Sequence, residues 1–547
     1  MEHRSVRLAW WRPFALLAAL LLVVAACGGG GDDEDDAATD DPPESDNSGG
    51  VDQEDPADIT MGGTLTFATE SDVASLMPGV AAQPSDKVIT LGIYDPLMSY
   101  DEEANIIPWL AKTMTASEDL LTWEMELNSP VTFHDGTPLN AEAVVKHFDR
   151  LKDPAVGCPC QQSVSNIETM EMPDGPTGQT VTFHLDAPNV AFDQLLAGSS
   201  GYIESPTAIA ADPEGFETAP VGTGPFVLDQ FIPGDRVVLK KYPDYWKTDE
   251  AGNQLPYLDE LIVRPIPDSS QRLASLEAGD IDMFQTATSD VVIQAEEAGF
   301  AAQKISGSSS TIILFNESKP PFDDVRARQA VAYAINKDAM NERVYGGVRV
   351  PSYSSFPIDS PYYNPDGEAP RYDPERAAEL VEELGGLSFK LECIPTPESQ
   401  QLLELTQQMG EAVGMEIELG TQEQGQYVNR IFSKSGDYEA ACFRNNHFAD
   451  PDQIRAGLTT DDPGNLIFYS NPDVDRLLQE ARATADFEER KAAYDEIQVI
   501  TAEEVPIVTL MYDLFGNVYD DTRAGPPPPG EPNSLGAIKP GFLHVAG

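Results

Sequence analysis

Side chains that commonly do chemistry are abundant in this chain, but their spacing matches no catalytic pattern. None of its six histidines lies four residues from another, the spacing that places two imidazoles on one helix face. The chain also lacks a Gly-x-Ser-x-Gly elbow, a phosphate-binding P-loop and a Gly-x-Gly-x-x-Gly turn. We therefore expect no enzymatic activity, no cofactor and no metal site.

Two short acidic motifs keep a hydrolase open as an alternative. His134 and Asp135 could act as an acid–base pair, and Asp450 and Asp452 could act as paired carboxylates. Both motifs are also typical of turns, since the first continues as Asp135-Gly136 and the second contains Asp450-Pro451. The turn interpretation is favoured in both cases, and a cell-envelope hydrolase stays the less favoured alternative.

Cys27 is the residue whose surroundings predict a covalent modification. A basic start and thirteen apolar residues, 14–26, precede it. As a helix these would reach about 20 Å, short of the roughly 30 Å bilayer core, which is typical of a secretory signal. The run Leu-Val-Val-Ala-Ala-Cys resembles a bacterial lipobox. We expect residues 1–26 to be a lipoprotein signal peptide and Cys27 to carry the lipid.

The charge of the chain is strongly acidic, with 92 acids against 34 bases and a net charge of −58. Thirteen of the acids lie in residues 32–58, which contain no base. Residues 27–59 are therefore expected to form an acidic, disordered tether. The remaining chain is also acidic, which argues against nucleic-acid binding because phosphates would be repelled. A saline habitat would screen such self-repulsion.

Four cysteines remain beyond Cys27, and exported chains tend to oxidise such thiols. Cys393 and Cys442 each end a strand-like run, which favours a bond between neighbouring strands. Cys158 and Cys160 flank one proline and could bridge locally in a small ring. Four cysteines allow three pairings. No zinc-site spacing can be assembled from them.

Apolar periodicity predicts strands and helices that alternate along the chain. Strands are expected at 63–68, 122–127, 131–133, 180–185, 225–231, 236–241, 258–265, 387–394, 438–443 and 505–512. Helices are expected at 141–151, 269–278, 323–336, 374–384, 398–413, 472–485 and 487–505. The alternation indicates mixed α/β lobes.

Several motifs, in order, resemble the extracellular solute-binding proteins of the oligopeptide, dipeptide and nickel type, which serve ABC importers. They are residues 133–144 (FHDGTPLNAEAV), 221–226 (VGTGPF), 242–246 (YPDYW), 279–282 (GDID), 316–330 (ending PPFDDVRARQA) and 505–507 (VPI). The resemblance extends from about residue 62 to 520. Most of these motifs are structural, so they identify the scaffold and not the ligand.

This resemblance implies a periplasmic-binding-protein-like α/β fold with hinged lobes around a cleft and an extra α/β domain, three lobes in all. Lobe I would comprise residues 60–99, 220–312 and 508–547, lobe II residues 100–219, and lobe III residues 313–507. Two crossings, near 314–316 and near Leu510, would form the hinge. Cysteine pairs within a lobe are then favoured, since a bond between lobes would block motion.

The resemblance also implies a lipid-anchored receptor on the outer face of the bacterial cell membrane. It would capture a small-molecule or peptide ligand, act as a monomer and dock on an ABC transporter permease. Candidate ligand-binding residues follow strand ends or crossings near the lobe boundary. They are Glu70, Ser71, Asp72, Phe315, Asn316, Arg444, Asn445, Asn446, His447 and Phe448.

The identity of the ligand stays open. In peptide-binding relatives an aspartate receives the α-ammonium, and His447 stands at that place here, while Arg444 replaces a tryptophan. An arginine fork can hold a carboxylate, a phosphate or sugar hydroxyls. An oligopeptide is the nominal ligand, and an oligosaccharide or another small organic or anionic solute is the alternative. A structural lipoprotein would leave the ordered motifs unexplained.

Overall fold

The computed structural model describes residues 59–79, 81, 84–101, 105–156, 158, 160, 164–446, 450–528 and 538–547. The predicted signal peptide, Cys27 and the acidic tether up to residue 58 lie outside these ranges, as do His447 and Phe448. Among the described residues, none of the helices has the length and apolar character needed to cross a bilayer.

Most described strands belong to one large mixed sheet, here called the central sheet. Its strands are β1 (Thr64–Thr69), β8 (Phe226–Ile232), β9 (Arg236–Lys241), β10 (Glu260–Pro265), β11 (Met283–Thr286), β12 (Ala301–Phe315), β13 (Val350–Pro351), β14 (Leu387–Cys393), β15 (Met415–Thr421), β16 (Ala440–Asn446) and β17 (Ile507–Tyr519). Their order is β15-β14-β16-β12-β17-β11-β1-β10-β9-β8, and β13 pairs with β17. Segments distant in sequence therefore share one sheet.

The two long strands β12 and β17 join the two halves of the central sheet. They run antiparallel, with residues 301–306 of β12 beside 519–514 of β17, and residues 310–314 beside 512–507. The register shifts between Ser306 and Ser310 and again between Thr311 and Ile312, so this part of β12 is irregular. Before this irregularity β17 also pairs with β11, and beyond it β12 pairs with β16. A bulge disrupts the ladder and bends a sheet, so it marks the junction of the halves.

The expected crossings near 314–316 and near Leu510 stay a prediction, and one register shift lies beside the second of them, since Thr311 pairs with Met511 and Ile312 with Thr509. The strands change partners around residues 306–310 and 512–514, which lie closer to the middle of both strands. Residues 313–315 of β12 remain regularly paired with β16.

Four further strands form an antiparallel sheet, here called the small sheet, in the order β4-β5-β7-β6. They are β4 (Ala111–Ala116), β5 (Thr122–Leu127), β6 (Ile167–Glu171) and β7 (Thr180–Leu185), while β2 (Met98–Tyr100) and β3 (Ile106–Pro108) pair separately. The expected strand at 131–133 is not formed. Only an isolated bridge joins Thr132 to Pro138, because the chain turns at Gly136, which has a φ of +79°.

Helices cover the sheets. They are α1 (Pro84–Ile93), α2 (Ala141–Lys152), α3 (Phe192–Ala197), α4 (Pro206–Ala211), α5 (Ser269–Glu277), α6 (Ser289–Glu297), α7 (Val325–Ala334), α8 (Lys337–Tyr345), α9 (Pro374–Leu384), α10 (Pro397–Ala412), α11 (Gln424–Phe432), α12 (Ile454–Leu458), α13 (Pro472–Arg482) and α14 (Phe487–Glu504). Local chemistry explains many bounds. In α9, Asp373 accepts the Arg376 N–H, Pro374 opens the helix, and Gly385 ends it in the left-handed conformation.

Separate hydrophobic cores stabilise the parts of the fold. The core under the small sheet is built from residues 97–203, and two cores lie on either side of β12, β14 and β16. The structure contains two disulfide bonds, Cys393–Cys442 between β14 and β16, and Cys158–Cys160 in the segment after α2. The mixed α/β, multi-lobe architecture confirms the fold class expected from the sequence.

Candidate functional site

A buried carboxylate lies where the two halves of the central sheet meet. Asp513 on β17 is fully buried, and burial alone would raise its pKa. Two guanidiniums and two hydroxyls outweigh that effect and lower the pKa. The donors to Asp513 are Arg349 Nη1 at 2.8 Å, Arg444 Nε at 2.9 Å, Ser309 Oγ at 2.5 Å and Thr311 Oγ1 at 2.8 Å. The carboxylate therefore stays ionised.

Arg349 connects this carboxylate to a second one. Its Nη2 lies 2.9 Å from Glu398 Oε1 and donates to the carbonyl oxygen of Ala287 at 3.2 Å. The guanidinium is stacked over Tyr345, with 3.9 Å between its carbon and the ring centroid. Burial raises the pKa of Glu398, although Arg349 opposes this change. Arg349 is thus held by contacts on all sides. Of its two ionic partners, Glu398 accepts a proton more readily than Asp513.

Glu70 lies at the other end of this network. Its Oε1 accepts hydrogen bonds from Arg272 Nη2 at 2.9 Å, from Thr286 Oγ1 at 3.1 Å and from the Ala287 N–H at 2.9 Å. Ala287 therefore links the two parts, since its carbonyl accepts from Arg349. We call the six charged side chains the junction cluster. They are Glu70, Arg272, Arg349, Glu398, Arg444 and Asp513, three carboxylates and three guanidiniums whose formal charges cancel.

Strand topology places the junction cluster. Glu70 directly follows β1 and Ala287 directly follows β11, and these two strands are parallel neighbours. Their carboxyl ends therefore open at the same edge of the sheet, where ligands commonly bind in open α/β sheets. Asp513 lies on β17, which runs along both halves, and Arg444 lies on β16 in the other half. The cluster thus contains side chains from both halves and lies beside the bulge in β12.

Arg444 is the most accessible cation of this cluster. Its side chain is 41% exposed, while its Nε is fixed on Asp513. The guanidinium lies over Phe515, 5.3 Å from the ring centroid. Its two Nη atoms make no hydrogen bond to the residues that the structure describes. A guanidinium held by one edge can offer the other edge to a carboxylate or phosphate in bidentate geometry.

Of the other expected ligand-binding residues, Ser71 and Asp72 follow Glu70 at the rim of the cluster. The Ser71 hydroxyl lies 2.9 Å from Ser85 Oγ and ties the end of β1 to α1. Asp72 accepts the Val73 N–H at 2.9 Å. Asn445 lines a separate cavity of about 90 Å³ with Thr509, and Asn446 is the last residue of β16. Among the residues that the structure describes, the side chains of Ser71, Asp72 and Asn445 do not belong to the junction cluster.

Phe315 and Asn316 have structural roles. Both are fully buried. Phe315 stacks on Phe322 with 4.4 Å between ring centroids, and Asn316 Nδ2 donates to the carbonyl oxygens of Gly436 and Tyr438 at 2.9 and 2.8 Å. A side chain packed inside a core has no surface to offer a ligand, so these two residues hold the end of β12 in place.

A cavity of about 290 Å³, here called the cleft cavity, lies between residues 78–202 on one side and residues 450–482 on the other. Three segments line it: residues 78–100, 189–202 and 450–482. Its polar lining includes Lys87, Thr90, Asn189, Asp452 and Arg482. The volume is near the lower limit for small-molecule sites, enough for a group the size of one or two amino-acid residues or one sugar.

The acidic motifs that kept a hydrolase open form turns. Asp135 accepts from Thr137 N–H at 2.9 Å and from Ser205 Oγ at 2.7 Å. Burial lowers the pKa of His134 to about 4, and one ring nitrogen lies 2.9 Å from the Gly224 carbonyl oxygen. Asp450 begins a short 3₁₀ turn and forms a bidentate ion pair with Arg490. These side chains are engaged in structural contacts.

Sequence analysis missed four members of the junction cluster. Arg272, Arg349, Glu398 and Asp513 carry no motif. One signal was present, since Asp513 is the lone charged residue in the apolar run of β17, Ile507–Tyr519. A buried charge needs a partner, so an isolated acid in such a strand predicts an ion-pair site. Within the described ranges, no group of three or more histidine, cysteine or acidic side chains has metal-site geometry.

Comparison with known proteins identifies the scaffold. The sequence profile of the bacterial extracellular solute-binding proteins, family 5 (middle segment) matches residues 105–465. The chain belongs to this family. Its membership confirms the resemblance drawn from the ordered motifs, and it identifies the chain as a solute-binding protein of the kind that serves ABC importers.

Two curated relatives are binding proteins of known cargo. The glutathione-binding protein GsiB of Shigella flexneri is 28% identical over 476 residues, 84% of this chain and 91% of that protein. The dipeptide-binding protein of Escherichia coli (strain K12) is 28% identical over 501 residues, 84% and 90% of the two chains. The solved structure of Helicobacter pylori DppA in complex with peptide STSA has a TM-score of 0.77 and 25% identity, covering 89% of this chain and 99% of that one.

Proposed function

We propose that this protein is a lipid-anchored extracytoplasmic receptor that encloses a solute by hinge closure and delivers it to an ABC transporter permease. The nominal cargo is a short peptide or another small solute bearing a carboxylate. The accessible fork of Arg444, fixed on buried Asp513 at the junction of the halves, is the observation that supports this cargo. Glutathione and dipeptides, which the relatives bind, are carboxylate-bearing solutes.

The proposal assigns the lobes as residues 60–99, 220–312 and 508–547 for lobe I, 100–219 for lobe II and 313–507 for lobe III. The two crossings near 314–316 and near Leu510 would serve as the hinge, and the register shifts of β12 against β17 lie next to them. A solute that contacts both halves shifts the population toward the closed form by its differential affinity for that form. The junction cluster has members on both halves, as such coupling requires.

Anchoring would occur through a diacylglyceryl group on Cys27, with residues 27–59 as a charged spacer. Two acyl chains anchor stably because each buried CH₂ contributes about 0.8 kcal/mol. Palmitate labelling of cells that express the protein, compared with cells expressing Cys27→Ala, tests this part of the proposal. Equal labelling of both proteins would contradict it.

Ligand recognition is tested by calorimetric titration of dipeptides and glutathione, after mass spectrometry of any solute that copurifies. Arg444→Ala removes charge-assisted hydrogen bonds worth about 1.5–3 kcal/mol each, so we expect the Kd to rise tenfold or more. Arg236→Ala is the matched control, because Arg236 on β9 is similarly exposed, at 45% against 41%. Arg444→Lys should recover part of the affinity.

The outcomes separate the two levels of the proposal. An unchanged Kd in Arg444→Ala would contradict the role of Arg444 in binding. It would not contradict the proposal that the protein binds a solute. If the unaltered protein carries no solute and binds none of the panel, the peptide assignment fails. An oligosaccharide is then the next candidate, because the cleft cavity combines amide, hydroxyl and aromatic side chains, among them Asn189, Gln194 and Tyr202.

A further inference from the structure

Asn189 and Arg482 are 293 positions apart in the sequence, and their side chains are hydrogen-bonded. Arg482 is the last residue of α13, and Asn189 precedes α3 beside the small sheet. Arg482 Nε donates to Asn189 Oδ1 at 3.1 Å, and the Val190 N–H donates to the Arg482 carbonyl oxygen at 3.1 Å. Carbonyls in the last turn of a helix lack partners inside the helix, so this backbone contact satisfies one of them.

Both partners are held in position by their own lobes. Asn189 Oδ1 also accepts the Ala191 N–H at 3.1 Å, and Asn189 Nδ2 donates to Asn166 Oδ1 at 3.3 Å. On the other side, Arg482 Nε lies 3.4 Å from Asp452 Oδ2. The Arg482 and Asp452 side chains are each only 16% exposed. A contact between two pre-positioned groups loses little conformational entropy when it forms.

The contact between Asn189 and Arg482 is polar, as expected of an interface between lobes that can separate. In the described residues, the hydrophobic core under the small sheet and the core that contains α13 and α14 share no side chain. Two hydrogen bonds join the two surfaces here, and the ion pair of Arg482 with Asp452 lies within one of them. Interfaces between lobes that are polar in this way allow relative motion, whereas large apolar interfaces do not. The same residues, Asn189, Asp452 and Arg482, line the cleft cavity.

We propose that Arg482 is a positioning residue that latches the small-sheet lobe onto the second half of the chain and so closes the cleft cavity. The latch consists of Arg482, Asn189 and the Val190 N–H. It stabilises the closed form without touching the junction cluster, and it therefore sets how long an enclosed solute is retained. Its biological meaning rests on the proposed hinge closure, but its existence is measurable without any ligand.

Hydrogen–deuterium exchange of the ligand-free protein tests the latch. The Val190 N–H is protected only while it donates to Arg482, so its exchange rate reports the open population directly. Arg482→Gln removes a charge-assisted hydrogen bond, and peptides containing Val190 should exchange about tenfold faster. Arg476→Gln is the control, because Arg476 lies on the same helix, is 49% exposed and pairs with Glu480 within that helix.

Further variants distinguish a latch from a general structural role. Asn189→Ala should produce the same acceleration from the opposite side, and combining it with Arg482→Gln should add little, since one contact is lost in both cases. Arg482→Lys should be intermediate. The exchange rates of peptides inside α13 should be the same in Arg482→Gln as in Arg476→Gln. The urea midpoints of unfolding of these two variants should also agree. Unchanged exchange at Val190 in Arg482→Gln overturns the latch, whereas failure to bind any solute affects only the proposed function.

Discussion

Replacing Asp513 with asparagine tests the physical basis of the junction cluster. The substitution retains the side-chain volume and one oxygen but removes the negative charge that faces Arg349 and Arg444. Arg349 is fully buried, so it would keep only Glu398 as an ionic partner. A buried charge that loses a partner is strongly destabilising, because its desolvation is no longer compensated.

The expected loss follows from the contacts. Breaking a buried ion pair from one side costs about 3–5 kcal/mol. Asparagine can still accept from Ser309 or Thr311, which favours the lower end, about 3 kcal/mol. The entropy of unfolding is about 2.1 cal/mol/K per residue, so a chain of roughly 500 residues loses about 3 °C in Tm for 3 kcal/mol.

The pH dependence of this difference has a definite sign. Because the pKa of Asp513 is lowered in the folded state, its contribution is present above the unfolded pKa of about 3.9. The contribution is lost as pH falls through the folded pKa, which lies lower still. The difference between the unaltered protein and Asp513→Asn should therefore stay constant from about pH 8 to pH 5.

Urea unfolding, followed by tryptophan fluorescence, measures the free energy of unfolding at about pH 8 and at about pH 5. Asp280→Asn is the matched control, since it removes one negative charge from an exposed position of the same acidic chain. Adding Arg444→Ala to Asp513→Asn should cost less than Arg444→Ala alone, because its partner is already gone. A loss below about 1 kcal/mol, or one equal to that of the control, would refute the assignment of Asp513 as the ionic centre.

Two further predictions concern other parts of the fold. Burial, together with the charge of Asp450, raises the pKa of Asp193 to about 6. The contribution of Asp193 to stability is therefore full below the pKa that it has in the unfolded chain, and it is lost as the pH rises through about 6. Asp193→Asn should leave unfolding unchanged at pH 4 and increase the free energy of unfolding at pH 7.5, by up to about 3 kcal/mol; equal effects at both pH values would contradict this. A Cβ on Gly222 would lie 2.2 Å from the Ile93 carbonyl oxygen, so Gly222→Ala should lower the Tm, whereas Gly457→Ala in α12, with no atom within 4 Å of the added Cβ, should not.

Local chemistry made many elements predictable. The bounds of β5, β7, β9 and α9 match the sequence-based expectation residue for residue. Alternation, the Asp-Pro opening and the Gly ending of α9 are contained in a few neighbouring residues, so no distant contact is needed to specify them.

The longest strand was not predicted, for a physical reason. β12, Ala301–Phe315, contains Gly307 and a serine-rich centre that breaks the apolar alternation. Ser309 and Thr311 in that centre donate to Asp513 on the neighbouring strand. Polar residues are tolerated inside the sheet because they meet a buried carboxylate, and that partner lies about two hundred residues further along the chain.

The candidate site was only partly visible in the sequence. Glu70 and Arg444 were identified because both follow or lie on recognisable strands near the lobe boundary. Phe315 and Asn316 were placed at the crossing, and the structure instead buries both in the core. Arg349 and Glu398 were not identified because their sequence neighbours form no motif. Asp513 did have a signal, its position as the lone charge in the apolar run of β17.

The sequence by itself determined the family, the alternating α/β elements and the acidic character, because each depends on residue types and on spacings within short segments. Only the tertiary structure decided which charges meet. Arg349, Arg444 and Asp513 are separated by 69 to 164 positions. They converge because β12 lies between β16 and β17 in one sheet, and because β13, which follows Arg349, pairs with β17. The energy of an ion pair depends on distance and burial, and neither quantity exists until the chain has folded.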